Sequence, residues 1–311
     1  MKSRIFKLAV AGGVASASVL SPLASAALQL SDTAASSSGI AHQNFSSTHA
    51  NSLAPVAGDR TIRDHPGWKL DMVEDFNGIS STRWNVRNNT YSSNESSYLL
   101  AANTSTEDGV LRIQGKKQSV GGRDYTSGYI DTNSKYALPN YFRLKVRARV
   151  PMEQGMWAAP VWFRPADFSA GEIDLLETYG KDNANPLITQ TLHTDYTASH
   201  QQSAKATSYG IVGGNPTAWH RYVIEKTPGK IVMWVDGIET ATWTSGNPGW
   251  FEQYYEAGKR WNLRVNLQIG GSWGGLPDST TDWSGDKTTM QIGHIYTWVP
   301  DCDAQPGCST W

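Results

Sequence analysis

Long hydrophobic runs are missing from this sequence. The apolar run from Leu8 to Leu20 is too short to span a bilayer, and no later stretch is long enough either. Three basic residues precede that run and the small residues Ala24–Ala26 follow it, as in a secretory signal peptide. We therefore expect removal of residues 1–26, secretion and no membrane partner, with a retained amino-terminal anchor as the alternative.

Cysteine is almost as scarce, with two copies among 311 residues, Cys302 and Cys308. Nothing around them suggests a cysteine metal site or a thiol nucleophile. They lie close together near the end of the chain, and export favours a local disulfide between them. The sequence therefore predicts a Cys302–Cys308 bridge and argues against thiol chemistry.

A surplus of basic residues is also lacking. The chain has 27 Lys and Arg against 28 Asp and Glu, for a formal net charge of −1. Proteins that bind polyanions usually carry a basic surplus or basic clusters, and none is visible here. We expect no nucleic-acid partner, and for the same reason a sulfated ligand is less expected than a neutral one.

Helical periodicity is hard to find, apart from a short turn around residues 250–255. Short alternating segments recur instead between Gly, Asn, Asp and Pro signals. Examples are Val110–Gln114, Phe142–Val150, Ile231–Val235 and Leu263–Ile269. Many short strands without alternating helices predict an all-β fold, a sandwich of two antiparallel sheets.

The domain boundaries follow from composition. Residues 27–60 are rich in Ser, Ala, Thr and Asn and predict a flexible spacer, with a terminal strand as the alternative. Residues 61–311 then form one folded domain without internal repeats, and we expect it to be a monomer.

Aromatic residues are abundant, with 13 Trp and 13 Tyr against 7 Phe. Trp and Tyr combine a broad apolar face with a hydrogen-bonding edge, which suits a ligand that is both apolar and polar. Sugar rings fit that description. Ordinary use of aromatic residues in a β-sheet core is the alternative, and it accounts for part of them.

Three carboxylates lie within the six residues Glu172–Glu177. The large apolar residues between them indicate a strand, on which alternation puts Glu172 and Asp174 on one face. Strict alternation would turn Glu177 to the opposite face. A bulge at Leu175 and Leu176, one extra residue on this strand, would bring Glu177 back to the acidic face.

Paired carboxylates can cleave a glycosidic bond, one as nucleophile or base and the other as the acid that protonates the leaving oxygen. A nucleophilic pair needs carboxyl groups about 5–5.5 Å apart, whereas a flat strand would hold these glutamates farther apart. The spacing therefore predicts a curved, concave sheet. Asp174, as a third like charge, should help keep one acid protonated. A solvated acidic edge and a carboxylate calcium site are the alternatives.

The run Glu-Ile-Asp-Leu-Leu-Glu resembles the signature of glycoside hydrolase family 16, the concanavalin-like jelly-roll enzymes that include laminarinases, lichenases and agarases. It has the longer form of laminarinases and agarases rather than the compact lichenase form. Further segments resemble the family in the same order. They are Glu74–Gly78, Asn94–Tyr98, Tyr125–Gly128, Gly155–Trp162, Trp219–Tyr222, Val235–Gly237 and Asn266–Gly275.

The resemblance implies roles for several residues. Glu172 would be the nucleophile and Glu177 the acid/base, with retention of configuration, and Asp174 would tune the pair. Trp157 would form a stacking wall near the cleavage point, and His193 would be the histidine of the neighbouring strand. Further substrate-binding candidates are Trp273, Asn94, Glu95, Arg164 and Trp162.

Each of these candidates could instead have an ordinary structural role. Trp162 could be a core residue and His193 an ordinary core or surface histidine. Asn94, Glu95 and Arg164 could have ordinary loop roles. A metal site of His193, Asp195 and His200 has spacing too loose to be predicted.

Calcium is in doubt. The family often holds a structural calcium ion through an acidic residue of the last strand, and Gly293 stands at that place. No other cofactor is required.

These observations together predict a jelly-roll of two curved antiparallel sheets. The expected activity is that of a secreted, endo-acting, retaining β-glycanase, with β-1,3-linked or mixed-linkage glucan as the expected substrate. A galactan-cleaving enzyme such as an agarase, a wall-polysaccharide transglycosylase and a non-catalytic carbohydrate-binding lectin are the alternatives.

Overall fold

The computed structural model describes residues 65–303, so the signal-peptide and spacer predictions lie outside the described residues. Cys308 lies outside them too, and the Cys302–Cys308 bridge stays a prediction. Within this range no helix is long and apolar enough to cross a membrane.

Strands dominate the described chain, as predicted. The first nine are β1 (Trp68–Glu74), β2 (Asn85–Val86), β3 (Ser97–Leu99), β4 (Thr104–Glu107), β5 (Val110–Gln114), β6 (Lys116–Val120), β7 (Arg123–Ser127), β8 (Tyr129–Asp131) and β9 (Phe142–Arg149). The others are β10 (Met156–Pro165), β11 (Glu172–Tyr179), β12 (Leu187–His193), β13 (Gln202–Ser208), β14 (His220–Thr227), β15 (Lys230–Val235), β16 (Ile238–Thr244), β17 (Trp261–Ile269) and β18 (Thr289–Pro300).

Helical structure is limited to short pieces. A four-residue helix, α1, covers Gly271–Gly274, and 3-10 turns cover Ala101–Asn103, Gly180–Asp182, Tyr209–Val212 and Phe251–Tyr255. The last of these turns confirms the one that the sequence predicted around residues 250–255.

Two large sheets make up the fold. One has the strand order β16-β15-β14-β9-β18-β5-β4, with β1 also paired to β18. The other has the order β13-β12-β11-β10-β17-β8-β2, and a small third sheet has the order β3-β7-β6. The pairs within the two large sheets are antiparallel. The predicted all-β sandwich is confirmed.

The core lies between the two large sheets. Ile173, Leu175 and Leu176 from β11 join Val146 and Ile224 from the opposite sheet in one cluster of buried side chains. Burying each such side chain stabilises the fold by about 1.5–3 kcal/mol. Strand β11 is therefore anchored by its apolar residues, and its acidic residues belong to the outer face, the face of the seven-stranded sheet that is turned away from this core.

A row of paired residues crosses this outer face. Thr191 of β12 pairs with Asp174 of β11, and Asp174 pairs with Trp162 of β10. Trp162 pairs in turn with Arg264 of β17, which pairs with Asp131 of β8. Directly paired residues share a face of a sheet, so the row continues from the acidic strand toward the sheet edge.

The predicted bulge is present in β11. Its pairing with β12 runs Asp174 to Thr191 and then Glu177 to Thr189, so three steps on β11 oppose two on β12. Leu175 and Leu176, the residues inside this shift, are both fully buried. The bulge therefore turns two successive leucines into the core and returns Glu177 to the acidic face. The predicted curvature of the sheet stays a prediction.

Candidate active site

Glu172 lies at the beginning of β11 between a cation and a phenol. Arg164 of the adjacent strand β10 donates from Nη1 to Glu172 Oε2 at 3.0 Å. The hydroxyl of Tyr196, in the loop after β12, donates to the other oxygen, Oε1. Glu172 is buried with 7% of its surface exposed, so these charge-assisted contacts hold its carboxyl group in one orientation. Arg164, a weak candidate from the sequence, is thus in direct contact with an acid.

Glu177 lies beyond the bulge, and no cation of residues 65–303 forms an ion pair with it. Its Oε1 accepts a hydrogen bond from Trp157 Nε1 at 2.7 Å, and its Oε2 accepts one from the Tyr179 hydroxyl at 3.0 Å. Burial, with a further contribution from the Asp174 charge, raises the pKa of Glu177 to about 8. This carboxyl group therefore holds a proton at neutral pH.

Asp174 lies between the two glutamates. His193 Nε2 is 3.0 Å from Asp174 Oδ2, although the two groups are not aligned for a hydrogen bond and Oδ2 has no such partner in residues 65–303. Burial and the Glu172 charge raise the pKa of Asp174 well above its ordinary value, and burial lowers the pKa of His193. Asp174 thus has a buried carboxyl oxygen without a hydrogen-bond partner in residues 65–303, and its charge contributes to the raised pKa of Glu177.

His193 is the residue of β12 that pairs with Glu172. Its ring stacks on His200 and Tyr196 with centroid distances of 5.2 and 5.7 Å, and its Nδ1 is 3.0 Å from His200 Nε2. The sequence left open whether this histidine belongs to the core. It lies instead on the acidic face, where His200 fixes its orientation.

Tyr254 locks the two strands together. Its hydroxyl donates to the backbone carbonyl of His193 at 2.5 Å and lies 3.2 Å from that of Glu172. The ring is fully buried and stacks on Trp261 at a centroid distance of 5.7 Å. The predicted turn at residues 250–255 thus positions the beginning of β11, a role that the sequence did not indicate.

Aromatic rings extend from Glu177. The Trp157 ring lies 5.9 Å from Tyr179, and Tyr179 stacks on Trp273 at 6.4 Å between centroids. Trp273, in α1, has 50% of its surface exposed. These rings suit the stacking of a sugar ring, and two of them were predicted. Tyr179 was missed, although its position two residues after Glu177 puts it on the same face.

Trp162 is not a core residue. It pairs with Asp174 on the outer face, is half-buried, and donates from Nε1 to Asn266 Oδ1 at 2.7 Å. The interior positions of β10 belong to neighbours such as Val161 and Phe163, which are fully buried. Both tryptophans of β10 therefore face the site.

Asn94 and Glu95 lie apart from the acidic strand. Asn94 Oδ1 accepts from Gln268 Nε2 at 3.2 Å, and Gln268 pairs with Trp157 in the sheet. Glu95 accepts a hydrogen bond from Ser97, and burial raises its pKa to about 7. Within residues 65–303, no hydrogen bond or ion pair joins either residue to Glu172, Asp174 or Glu177, and their link to the site runs through Gln268 and Trp157.

A metal ion does not fit these side chains well. In residues 65–303, the group that offers metal-ligand atoms within 4.8 Å of one another is Glu172, Asp174 and His193, not the loose set of His193, Asp195 and His200. The Arg164 guanidinium already contacts Glu172 at 3.0 Å and would repel a cation there. The arrangement is instead suited to proton transfer between carboxyl groups with different surroundings.

Comparisons with known proteins lead to the same chemistry. The chain is 27% identical over 256 residues to a β-glucanase of Rhodothermus marinus, which covers 75% of this chain and 87% of that protein. It is 29% identical over 243 residues to the endo-1,3-1,4-beta-glycanase EglC of Rhizobium meliloti, which covers 76% of this chain. The match spans only 47% of EglC.

A solved structure, that of the laminarinase from Rhodothermus marinus, superposes with a TM-score of 0.63 at 25% identity, covering 75% of this chain and 99% of that one. The family model for Glycosyl hydrolases family 16 matches residues 80–285, which contain all three acids of β11. Because this match covers more than half of the sequence, the chain belongs to glycosyl hydrolase family 16.

Proposed function

We propose that this chain is a retaining endo-β-glucanase that cleaves β-1,3-linked or mixed-linkage β-1,3-1,4-glucans. The observation that carries the proposal is the contrast between two glutamates of one strand. Glu172 contacts a guanidinium, whereas Glu177 is desolvated and has a pKa raised to about 8. One carboxylate and one carboxylic acid are what the first half of a double displacement requires.

The reaction proceeds in two steps on this geometry. Glu172 bonds to the anomeric carbon as the glycosidic carbon–oxygen bond breaks, and Glu177 transfers its proton to the departing oxygen. A water molecule then attacks the same carbon, Glu177 takes one of its protons, and Glu172 leaves as a carboxylate. Two inversions give net retention.

The surrounding residues support these steps. Arg164 and Tyr196 orient the attacking carboxylate, while Trp157 and Tyr179 orient the acid. Trp157 and Trp273 provide rings for stacking of sugar units. The names of the similar β-glucanase, endo-1,3-1,4-beta-glycanase and laminarinase support a glucan as the substrate.

No cofactor enters this mechanism, and the protein would act outside the cell as a monomer. The sequence put structural calcium in doubt, and the surroundings of Gly293 support that doubt. A Cβ atom on Gly293 would lie 3.2 Å from Arg147 Nη1. A guanidinium in this position repels a divalent cation, so the residues around Gly293 do not fit a calcium ion.

The test is product analysis on a polysaccharide panel. The purified protein is incubated with β-1,3-glucan, mixed-linkage glucan and agarose, and products are sized while NMR follows their anomeric configuration. We expect oligosaccharides from the glucans whose reducing ends first appear in the β configuration, and no such products from Glu172→Gln. Glu239→Gln is the matched control, because Glu239 is exposed on β16 of the other sheet.

Each alternative predicts a different product pattern. Release from agarose alone would identify a galactanase, and products longer than a supplied oligosaccharide would identify a transglycosylase. Binding without release of reducing ends would identify a lectin and contradict the proposal. So would full activity of Glu172→Gln.

A further inference from the structure

Strand β17 carries one charged side chain toward the outer face. Its nine residues, Trp261–Ile269, are all buried except Arg264, which is half-buried. Arg264 pairs with Trp162, which pairs with Asp174. Neighbouring strands lie about 4.8 Å apart, so Arg264 is about 10 Å along the sheet from the catalytic strand. An oligosaccharide that occupies the active site and extends in this direction would pass over Arg264.

Arg264 differs from the two other arginines of this face in its charge balance. Arg164 contacts Glu172 at 3.0 Å, and Arg87 contacts Asp131 at 2.6 Å. In residues 65–303, Arg264 has no carboxylate oxygen within 4 Å, although Asp131 is its neighbour in the sheet. Its hydrogen bonds go to neutral groups, so its positive charge remains uncompensated on the outer face.

The guanidinium is nevertheless held in place. Arg264 Nε donates to Asn262 Oδ1 at 3.2 Å, and Nη1 donates to the Tyr129 hydroxyl at 3.2 Å. It also lies over the Trp162 ring, 5.0 Å from the ring centroid. Asn262 is itself fixed by a 2.8 Å hydrogen bond to Asn133. An oriented guanidinium loses little entropy when it binds a planar anion through its remaining N–H groups.

Tyr129 adds a donor beside this charge. Its ring is buried with 8% exposed, and burial raises its pKa to about 12, so the hydroxyl keeps its proton. The hydroxyl oxygen accepts from Arg264, and no acceptor for its hydrogen is found in residues 65–303, so that hydrogen remains for a ligand. Arg87 lies over the Tyr129 ring, 5.7 Å from its centroid. Trp162, Arg264 and Tyr129 thus combine a stacking surface with donors and a net positive charge.

We propose that Trp162, Arg264 and Tyr129 form a subsite for a glycan unit that carries an anionic substituent, a carboxylate or a sulfate. The preferred substrate is then an acidic β-glucan rather than a neutral one, an inference that rests on the proposed glucanase activity. The chain's net charge of −1 argued against such ligands. Recognition, however, depends on the charge at the contact, and there the uncompensated group is a guanidinium.

The experiment compares three forms of one glucan that differ in the charge of their substituents. Neutral β-1,3-glucan, its carboxymethylated form and its sulfated form, matched in length, are given to the wild type, Arg264→Gln and Arg264→Lys. Arg260→Gln is the matched control, since Arg260 is exposed just before β17. Both kcat/KM and equilibrium binding are measured, with binding carried out in a Glu172→Gln background so that hydrolysis is not needed.

With Arg264 unchanged, we expect the protein to bind at least one charged glucan about 10-fold more tightly than the neutral one at low salt. Arg264→Gln should abolish that preference while changing affinity for neutral glucan by less than about 3-fold, and Arg264→Lys should retain part of it. The two charged glucans separate carboxylate from sulfate recognition. Added salt should reduce the preference.

Two results would overturn the subsite. One is equal binding of charged and neutral glucans by the wild type, and the other is an equal loss on both when Arg264 is replaced. Binding preference without hydrolysis of any glucan would instead contradict the glucanase proposal and leave the subsite standing, so the two failures are distinguishable.

Discussion

The two ends of strand β11 carry the same side chain in opposite surroundings. At Glu172 the neighbouring strand supplies the guanidinium of Arg164, whereas at Glu177 the same strand supplies the indole N–H of Trp157. The first environment places a cation against the carboxyl group, whereas burial in the second raises the pKa of Glu177 to about 8. The two proposed roles therefore follow from different contacts with β10, together with Tyr196 at Glu172 and with Asp174 and Tyr179 at Glu177.

The largest effect should come from removing the attacking group. Glu172→Ala should lower kcat by about 10⁴-fold or more, because no carboxylate remains to form the covalent intermediate. Added azide should restore turnover of an aryl β-glucoside oligomer and give a glycosyl azide of inverted configuration. NMR of that product checks the assignment, and a product of retained configuration would show that Glu172 is not the nucleophile.

Removing the acid should lower the rate less than removing the nucleophile does, and the size of the loss should depend on the leaving group. Glu177→Ala should lower kcat on polysaccharide by about 10²–10⁴-fold, the usual contribution of general acid catalysis. With aryl glycosides that have acidic leaving groups, the rate of the first step should fall far less, since these leaving groups need little protonation. Azide should here give a product of retained configuration. If both alanine variants gave the same azide product, the proposed division of roles would be wrong.

Tyr179→Phe should change the pH dependence more than the maximal rate. The proposed mechanism requires protonated Glu177, so the wild type should lose kcat/KM as pH rises through about 8. The Tyr179 hydrogen bond lowers the pKa of Glu177, so its loss should move this alkaline limb upward by about one pH unit. A pH–rate profile checks the shift, with Tyr91→Phe, an exposed tyrosine, as control. A downward shift would contradict this account.

The smallest effect is on stability. The pKa of Glu177 is higher in the folded than in the unfolded state. Its favourable contribution to the free energy of unfolding is therefore complete below the unfolded-state pKa and disappears as pH rises through about 8. Glu177→Gln cannot ionise, so its Tm should exceed that of the wild type by about 5 °C more at about pH 9 than at about pH 5. Calorimetry at the two pH values measures this difference. A pH-independent difference would mean that Glu177 is not desolvated.

Much of this arrangement was predictable from local sequence. Period-two alternation located the strands, and the Leu175–Leu176 pair required the bulge because a strand cannot otherwise return Glu177 to the face of Asp174. Tyr179 was within reach of the same alternation. In β17, alternation would also have put Arg264 on one face with Asn266, although no rule then distinguished it from a solvated arginine.

Other contacts had no local signal. Tyr196 and His200 lie in a loop without periodicity, and Tyr254 reaches the strands from a turn distant in sequence. The charge balance of Arg264 depends on which strands become neighbours, and β8, β17 and β10 are far apart in the chain. Such pairings arise from the sheet order, which alternation within single strands does not encode.

The bulge in β11 also affects how this gene can change in length. Elsewhere in a strand, loss of one residue turns all later side chains to the opposite face. At Leu175–Leu176, deletion of one leucine would replace the bulge by regular alternation, and Glu172, Asp174 and Glu177 would still share a face. A deletion of one codon is therefore neutral for the orientation of the three acids at this point, and the strand can lose one residue here without a change in which acids share a face.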